Sequence, residues 1–119
     1  MGYVRVRGAV ANTLNRNLKL DLEFIVDTGA IYSVIPKSVA EKLQLKEVDR
    51  RRFKTASGEV VEYPVSEAYI KIEGKGVTSL VAIANEKTPT LLGVTTLELM
   101  GLQVDPVTGK LTPLDLMIL

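Results

Sequence analysis

Asp27 closes the apolar run Phe24-Ile25-Val26, opens the turn Thr28-Gly29-Ala30, and is followed within a few residues by a second apolar run, Val34-Ile35-Pro36. This one feature restricts the fold more than any other. Upstream, Leu18-Lys19-Leu20-Asp21-Leu22-Glu23-Phe24 alternates apolar and polar residues, the period of a strand with one face inside. The chain therefore delivers a carboxylate to the border of a core, on a turn that glycine permits. A charge in such a place costs free energy unless something compensates it. The tetrapeptide alone leaves two readings open. It is either an ordinary strand-to-loop turn, with Asp27 and Thr28 bonded to their own backbone and Gly29 at positive φ, or a working carboxylate.

The rest of the chain supplies a frame for that turn. Tyr3 to Val10 alternates like a half-exposed strand and Asn12 to Asn17 reads as a polar turn, so the opening is a long hairpin whose second strand ends at Asp27. Pro36 to Leu45 has helical spacing, with Ile35, Val39 and Leu43 on one face and Pro36 near the first turn, where its missing N–H is harmless. Lys46 to Arg52 reads as a charged connector. Phe53 to Tyr63 reads as a hairpin with Ser57-Gly58 as a two-residue turn, which taken alone is equally a plain surface meander. Tyr69 to Ile72 leads to the turn Glu73-Gly74-Lys75-Gly76, and Val77 to Ala84 is the next strand. Leu91-Leu92-Gly93, by itself an unremarkable strand-turn-helix junction, precedes a short helix that Thr95 or Thr96 can cap and Gly101 can end. Leu102 to Leu111 has the turn signals of a further hairpin. The tail Leu114 to Leu119 is apolar and suggests a partner surface.

Composition removes whole classes of chemistry. The chain has no cysteine and no histidine, which excludes thiol nucleophiles, Ser-His triads and histidine-based metal sites, and leaves carboxylates, hydroxyls and lysines. No disulfide framework is available. A net charge of +1 gives no electrostatic reason to expect nucleic acid, and Asp49-Arg50-Arg51-Arg52, short and without interleaved aromatics, reads as a solvated loop. At 119 residues the expectation is one domain, 1–119, with one modest core. Hydrophobic residues make up 46% but aromatics only 5%, so that core is built mainly from Val, Ile, Leu and Ala, which favours strands. The start Met-Gly-Tyr-Val-Arg lacks the apolar block of a signal peptide and no apolar run approaches a membrane span, so the expected location is cytoplasmic, with no membrane partner.

Asp27-Thr28-Gly29-Ala30 resembles the active-site loop of aspartic proteases. Because the tripeptide occurs once, the chain looks like the retropepsin branch, in which two identical subunits each give one carboxylate. The two-lobed pepsin arrangement needs two such loops in one chain. The order of loop, short helix, hairpin, apolar strand and Leu91-Leu92-Gly93 follows the family from Tyr3 to Gly101, and cellular bacterial and archaeal members are the closer likeness. The resemblance implies a mostly β, closed or nearly closed barrel with two short helices. It further implies a homodimeric aspartic endopeptidase acting on peptide or protein substrates, with no cofactor and no metal. In it Asp27 is catalytic, while Thr28, Gly29 and Ala30 shape the loop. Ser57 and Gly58 tip a flap over an extended peptide, and Leu91, Leu92 and Gly93 pack behind the loop. Thr28 would donate to backbone across the subunit contact, and Ala30 would leave room for substrate.

The chemistry suits a pair of carboxyls. Attack of water on a peptide carbonyl needs a base and an acid, and two carboxyls held close cannot both ionise cheaply, so the pair supplies both. Two departures from the retroviral pattern stand out. Ile31 and Tyr32 occupy the place of an acidic residue and Val94 that of its arginine partner, so neither charge is orphaned; and the C-terminus runs past the usual last strand. A non-catalytic dimerisation or peptide-binding module on the same fold remains an alternative, as does a small β-domain in which Asp27 is only a turn residue.

Overall fold

The computed structural model describes residues 3–118; Met1 and Gly2 of the start and Leu119 of the apolar tail lie outside the described residues. In chain order the elements are β1 (Arg5–Asn12), β2 (Asn15–Asp27), β3 (Ser33–Pro36), α1 (Lys37–Lys42), β4 (Asp49–Lys54), β5 (Val60–Ile72), β6 (Lys75–Ala84), β7 (Leu91–Gly93), α2 (Val94–Met100), β8 (Leu102–Val104) and β9 (Leu111–Pro113). Seven strands form one sheet in the order β1-β2-β7-β3-β6-β5-β4, and β1 also pairs with β5, with Gly8 opposite Ile72 and Ala11 opposite Tyr69. Six strands thus close into a ring, and β4 hangs from the outside of it. This is the mostly β, nearly closed barrel with two short helices expected of a retropepsin-like fold.

The alternating segments behave as their period requires. β1 and β2 pair antiparallel from Arg5 opposite Ile25 to Ala11 opposite Lys19, around a turn at Thr13-Leu14 that is tighter than the predicted Asn12–Asn17. Inside the ring lie Val10, Phe24, Ile35, Ile70, Val81 and Leu92, all fully buried, with Leu97 and Met100 of α2 closing one end. Burial of a side chain such as Phe24 or Leu92 stabilises the fold by about 1.5–3 kcal/mol. With so few aromatics, closure depends on branched aliphatics packed at strand spacing.

Parallel pairing gives the barrel its crossing point. β2 runs parallel to β7, with Asp27 opposite Gly93, and β3 runs parallel to β6, while β3 and β7 meet antiparallel at Val34 and Leu91. β3 was not legible in the sequence, where Val34-Ile35-Pro36 read only as the approach to a helix. Four residues paired along their length with β6, and at Val34 also with β7, need no alternation to be a strand.

α1 is shorter than its predicted span of Pro36 to Leu45. Pro36 is its N-cap and Leu43 its C-cap, and Gln44 follows with φ of 55°. Both ends are satisfied from elsewhere in the fold. Glu86 accepts from the Ser38 amide at 2.7 Å and its hydroxyl at 3.0 Å, and the Asn12 side-chain amide donates to the Leu43 carbonyl at 2.9 Å. Tertiary partners replace the missing local caps.

β5 changes partners along its length. Val65–Ile72 pairs with β6 and Val60–Val65 with β4, so the β4–β5 hairpin projects beyond the barrel as a two-stranded arm. Two readings of this region are corrected. Asp49 to Arg52 is strand rather than loop, held by Arg50 to Glu62 across the hairpin at 3.0 Å and by Arg51 to Asp49 at 3.0 Å. The tip is not a two-residue turn. The Gly58 amide donates to the Thr55 carbonyl at 2.9 Å and the Thr55 amide to the Glu59 carbonyl at 2.8 Å, which leaves the three-residue loop Ala56-Ser57-Gly58 with Gly58 at φ 89°. By contrast the next turn is tighter than expected, Glu73 and Gly74 both at positive φ, with β6 beginning at Lys75. β8 and β9 form the last hairpin, and beyond it Leu116, Met117 and Ile118 are exposed. No helix among the described residues is long and apolar enough to cross a membrane.

Candidate active site

Asp27 is the last residue of β2 and is half-buried, while Thr28 and Gly29 are exposed at the surface of the turn. The Gly29 amide donates to Asp27 Oδ1 at 3.0 Å and the Ala30 amide to the Asp27 carbonyl at 3.1 Å. The carboxylate is therefore oriented by its own loop. Gly29 is not at positive φ; a Cβ there would stand 3.3 Å from Asp27 Oδ1, so a side chain at this position would press on the carboxylate, which would have to give by a few tenths of an ångström.

The loop from Asp27 to Ser33 is fastened along its length to the start of α2. Gly93, opposite Asp27, donates its amide to Ser33 Oγ at 2.9 Å. The next two amides, of Val94 and Thr95, donate to the carbonyls of Ala30 at 2.8 Å and Ile31 at 3.4 Å. The first amides of a helix have no partner within the helix, and here the loop carbonyls provide one. Neither Thr95 nor Thr96 caps α2, contrary to the sequence reading. The N-cap is Gly93, with no side-chain cap, and Thr96 points into the core. Gly101 does end the helix, at φ 70°.

Gly93 fills a place that no other residue fits. A Cβ on it would lie 2.5 Å from the Tyr32 carbonyl carbon, 2.6 Å from its oxygen and 2.8 Å from the Ser33 nitrogen, all backbone atoms. Leu92 is fully buried and Leu91 half-buried beside it. Leu91, Leu92 and Gly93 thus lie directly against the Asp27 loop, in parallel register with Ile25, Val26 and Asp27.

Ser57 and Gly58 are at the tip of the arm, both exposed. The sequence did not reveal how the arm is joined to the loop. Tyr32 meets Phe53 of β4 edge to face, ring centroids 5.3 Å apart at 84°, and Phe53 meets Tyr63 of β5 at 6.1 Å. The Arg51 guanidinium donates to the Tyr32 hydroxyl and lies 5.8 Å from the ring centroid. Three of the chain's six aromatics thus sit at this junction. Asp49 anchors Arg51 in turn, and its carboxyl is held below the usual aspartate range by the Arg50 amide first and the Arg51 side chain second. The only local signal was the spacing of Arg51 and Phe53, two apart on one strand face.

Beneath the loop lie three hydroxyls, Ser33, Thr96 and Ser79, with Ser33 and Thr96 fully buried. Among the described residues no group of three or more carboxylate, thiol or imidazole side chains is placed to hold a metal. Ile31, Leu80 and Leu99 form an exposed apolar groove next to the loop, with Ile31 66% and Leu99 51% exposed.

A search among curated proteins finds no match to this chain. The profile of the family described as aspartyl protease matches residues 6–108, which takes in the Asp27 loop, the arm, β7 and α2, and ends in the turn between β8 and β9. With most of its length matched, a near-barrel of the expected pairing and an Asp-Thr-Gly turn at the parallel crossing of β2 and β7, the chain belongs to the retropepsin-like aspartyl protease family.

Proposed function

We propose that the protein is a homodimeric aspartic endopeptidase in which Asp27 from each of two chains activates one water for attack on a peptide carbonyl. The observation that carries this reading is the half-buried Asp27 carboxylate, oriented by the Gly29 amide on a loop bound at several points to α2. A group placed so firmly is pre-organised, which is what proton transfer to and from a reacting centre requires. One Asp-Thr-Gly per chain supplies one carboxyl, and hydrolysis needs a base and an acid together. A second chain supports both roles.

In the dimer the two carboxyls, held close, share one proton, so one acts as base and the other as acid. The ionised carboxyl takes a proton from water as oxygen attacks the carbonyl carbon, while the protonated one gives its proton to the carbonyl oxygen. Collapse of the tetrahedral intermediate breaks the C–N bond: the carboxyl that took the proton from water gives it to the leaving nitrogen, and the other recovers a proton from the diol hydroxyl as the new carboxyl forms. Exposed Thr28 is available to donate to backbone of a second chain, and Ile31, Leu80 and Leu99 are apolar surface that a second chain would cover. The arm with Ser57 and Gly58 at its tip is the flap, under which an extended peptide lies as an added strand. No cofactor takes part.

The test is digestion of a denatured protein or peptide library by wild type and Asp27→Asn, each purified free of contaminating protease, with native mass in parallel. Wild-type cleavage that vanishes in Asp27→Asn is the expected result. Near-wild-type cleavage by Asp27→Asn would overturn the assignment. A folded dimer without any cleavage, its two Asp27 side chains far apart, would instead establish a binding or dimerisation module.

A further inference from the structure

Three hydroxyls buried side by side in an aliphatic core are a costly choice where Val or Ala would pack as well, unless each is bonded. Ser33 Oγ and Thr96 Oγ1 are 2.6 Å apart, and Thr96 Oγ1 and Ser79 Oγ 3.1 Å. The two ends of this row fix its direction. At one end the Gly93 amide donates to Ser33 Oγ at 2.9 Å, and an amide has only a proton to give. At the other end the Leu80 carbonyl accepts from Ser79 at 3.3 Å, and a carbonyl can only accept. One assignment uses every proton: Gly93 N–H to Ser33, Ser33 to Thr96, Thr96 to Ser79, Ser79 to Leu80. Each hydroxyl accepts once and donates once.

We propose that Ser33, Thr96 and Ser79 are positioning residues for Asp27, a directional hydrogen-bond row that sets where the Asp27 loop sits on β7. Gly93 is the point of leverage. It pairs with Asp27 at one end of the loop and holds Ser33 at the other, so the bow of the loop between them depends on the Gly93 to Ser33 bond. Bonds aligned head to tail polarise one another, so a hydroxyl removed at Thr96 takes away the acceptor of the Ser33 proton and weakens the Gly93 to Ser33 bond. The row also ties four elements, β3, β6, β7 and α2, behind one carboxylate. Its kinetic consequence rests on the catalytic role proposed for Asp27; its geometric consequence does not.

The experiment compares wild type, Thr96→Val, which keeps the shape and removes the central hydroxyl, and Thr96→Ser, which restores it. Backbone amide spectra and hydrogen exchange are read at Gly93 and at Gly29, whose amide donates to Asp27; peptide cleavage is read as kcat and KM separately. Thr96→Val is expected to speed exchange at Gly93, shift the Gly29 amide, and lower kcat about tenfold with KM within about twofold, the pattern of a displaced reacting group. Thr96→Ser is expected to recover all of these. If Thr96→Val lowers only the melting temperature and leaves the Gly93 and Gly29 amides as in wild type, the hydroxyls are core packing and the proposal is overturned. If Thr96→Val does not fold, Ser79→Ala at the edge of the core replaces it, with the same changes expected and the same unchanged amides overturning the proposal. A protein that cleaves nothing, or in which Asp27→Asn cleaves equally, would refute the catalytic reading while the amide measurements still decide this one.

Discussion

Gly93→Ala tests the packing that holds the Asp27 loop. The backbone of Gly93 has φ of −82° and ψ of 165°, which alanine adopts without strain, so any effect comes from the methyl group alone. That methyl carbon would stand 2.5 Å from the Tyr32 carbonyl carbon, about 0.9 Å inside the 3.4 Å of ordinary contact, and its neighbours are backbone atoms that no rotamer change can move. Either β7 withdraws from the loop or the loop lifts from β7. Overpacking of this kind costs about 1–3 kcal/mol. For a chain of this length that lowers the melting temperature by about 4–12 °C. The same displacement, approaching 1 Å, breaks the register between Asp27 and Gly93 and is expected to lower kcat/KM about a hundredfold. Thermal unfolding by circular dichroism and cleavage of a fluorogenic peptide measure both. Gly58→Ala is the contrast: φ there is 89° with no atom within 4 Å, so it strains the arm tip by about 1 kcal/mol without a collision. A Gly93→Ala protein that melts within a degree or two of wild type with unchanged loop amides would refute the argument that this close approach positions the site.

Further outcomes follow from the same geometry. The pH–rate profile is expected to be bell-shaped with its optimum on the acid side of neutral, with inhibition by statine-like transition-state mimics and none by chelators; loss of activity with a chelator and rescue by metal would contradict a carboxyl dyad. If subunits exchange freely, adding Asp27→Asn protein to wild type is expected to lower activity per wild-type chain in proportion to the fraction of wild-type partners, whereas constant specific activity at concentrations where sedimentation shows a monomer would rule out the shared site. Asp49 is expected to titrate below the ordinary aspartate value, because the Arg50 amide and Arg51 favour its charged form. The stability it lends the base of the arm is present above the unfolded value of about 3.9 and is lost as pH falls through the lower folded value. Carbon-13 titration of the Asp49 carboxyl checks this, and a midpoint at or above the ordinary value would contradict it.

Much of the barrel could be read from one dimension because its signals are local. The alternation of Leu18 to Phe24 announces a strand whatever it pairs with, and Gly101 after an apolar helix face announces a stop. Asp27-Thr28-Gly29-Ala30 was legible as a candidate site and Leu91-Leu92-Gly93 as the segment that lies against it, because glycine in such places marks backbone that must turn or approach closely. Where the sequence misled, a long-range partner had replaced a local one. Asp49 to Arg52 looked like loop because it is charged, yet Arg50 pairs with Glu62 from a strand twelve residues on. Thr96 looked like a cap because threonine commonly is one, but the loop carbonyls already satisfy the amides of α2, and its hydroxyl turns inward to Ser33 and Ser79.

By itself, then, the sequence determined the hairpin that carries Asp27, the chemical alphabet without cysteine or histidine, and the family to which the turn belongs. The first follows from local alternation, the second from composition, and the third from the turn together with the order of the segments from Tyr3 to Gly101. Only the tertiary structure decided that Gly93 and Asp27, 66 residues apart in the chain, lie opposite each other in parallel register, that β1 closes on β5, and that Tyr32 joins Phe53. Parallel pairing leaves no turn to mark it and register across a barrel is set by the whole ring of strands at once, so neither can be written into any short stretch of residues.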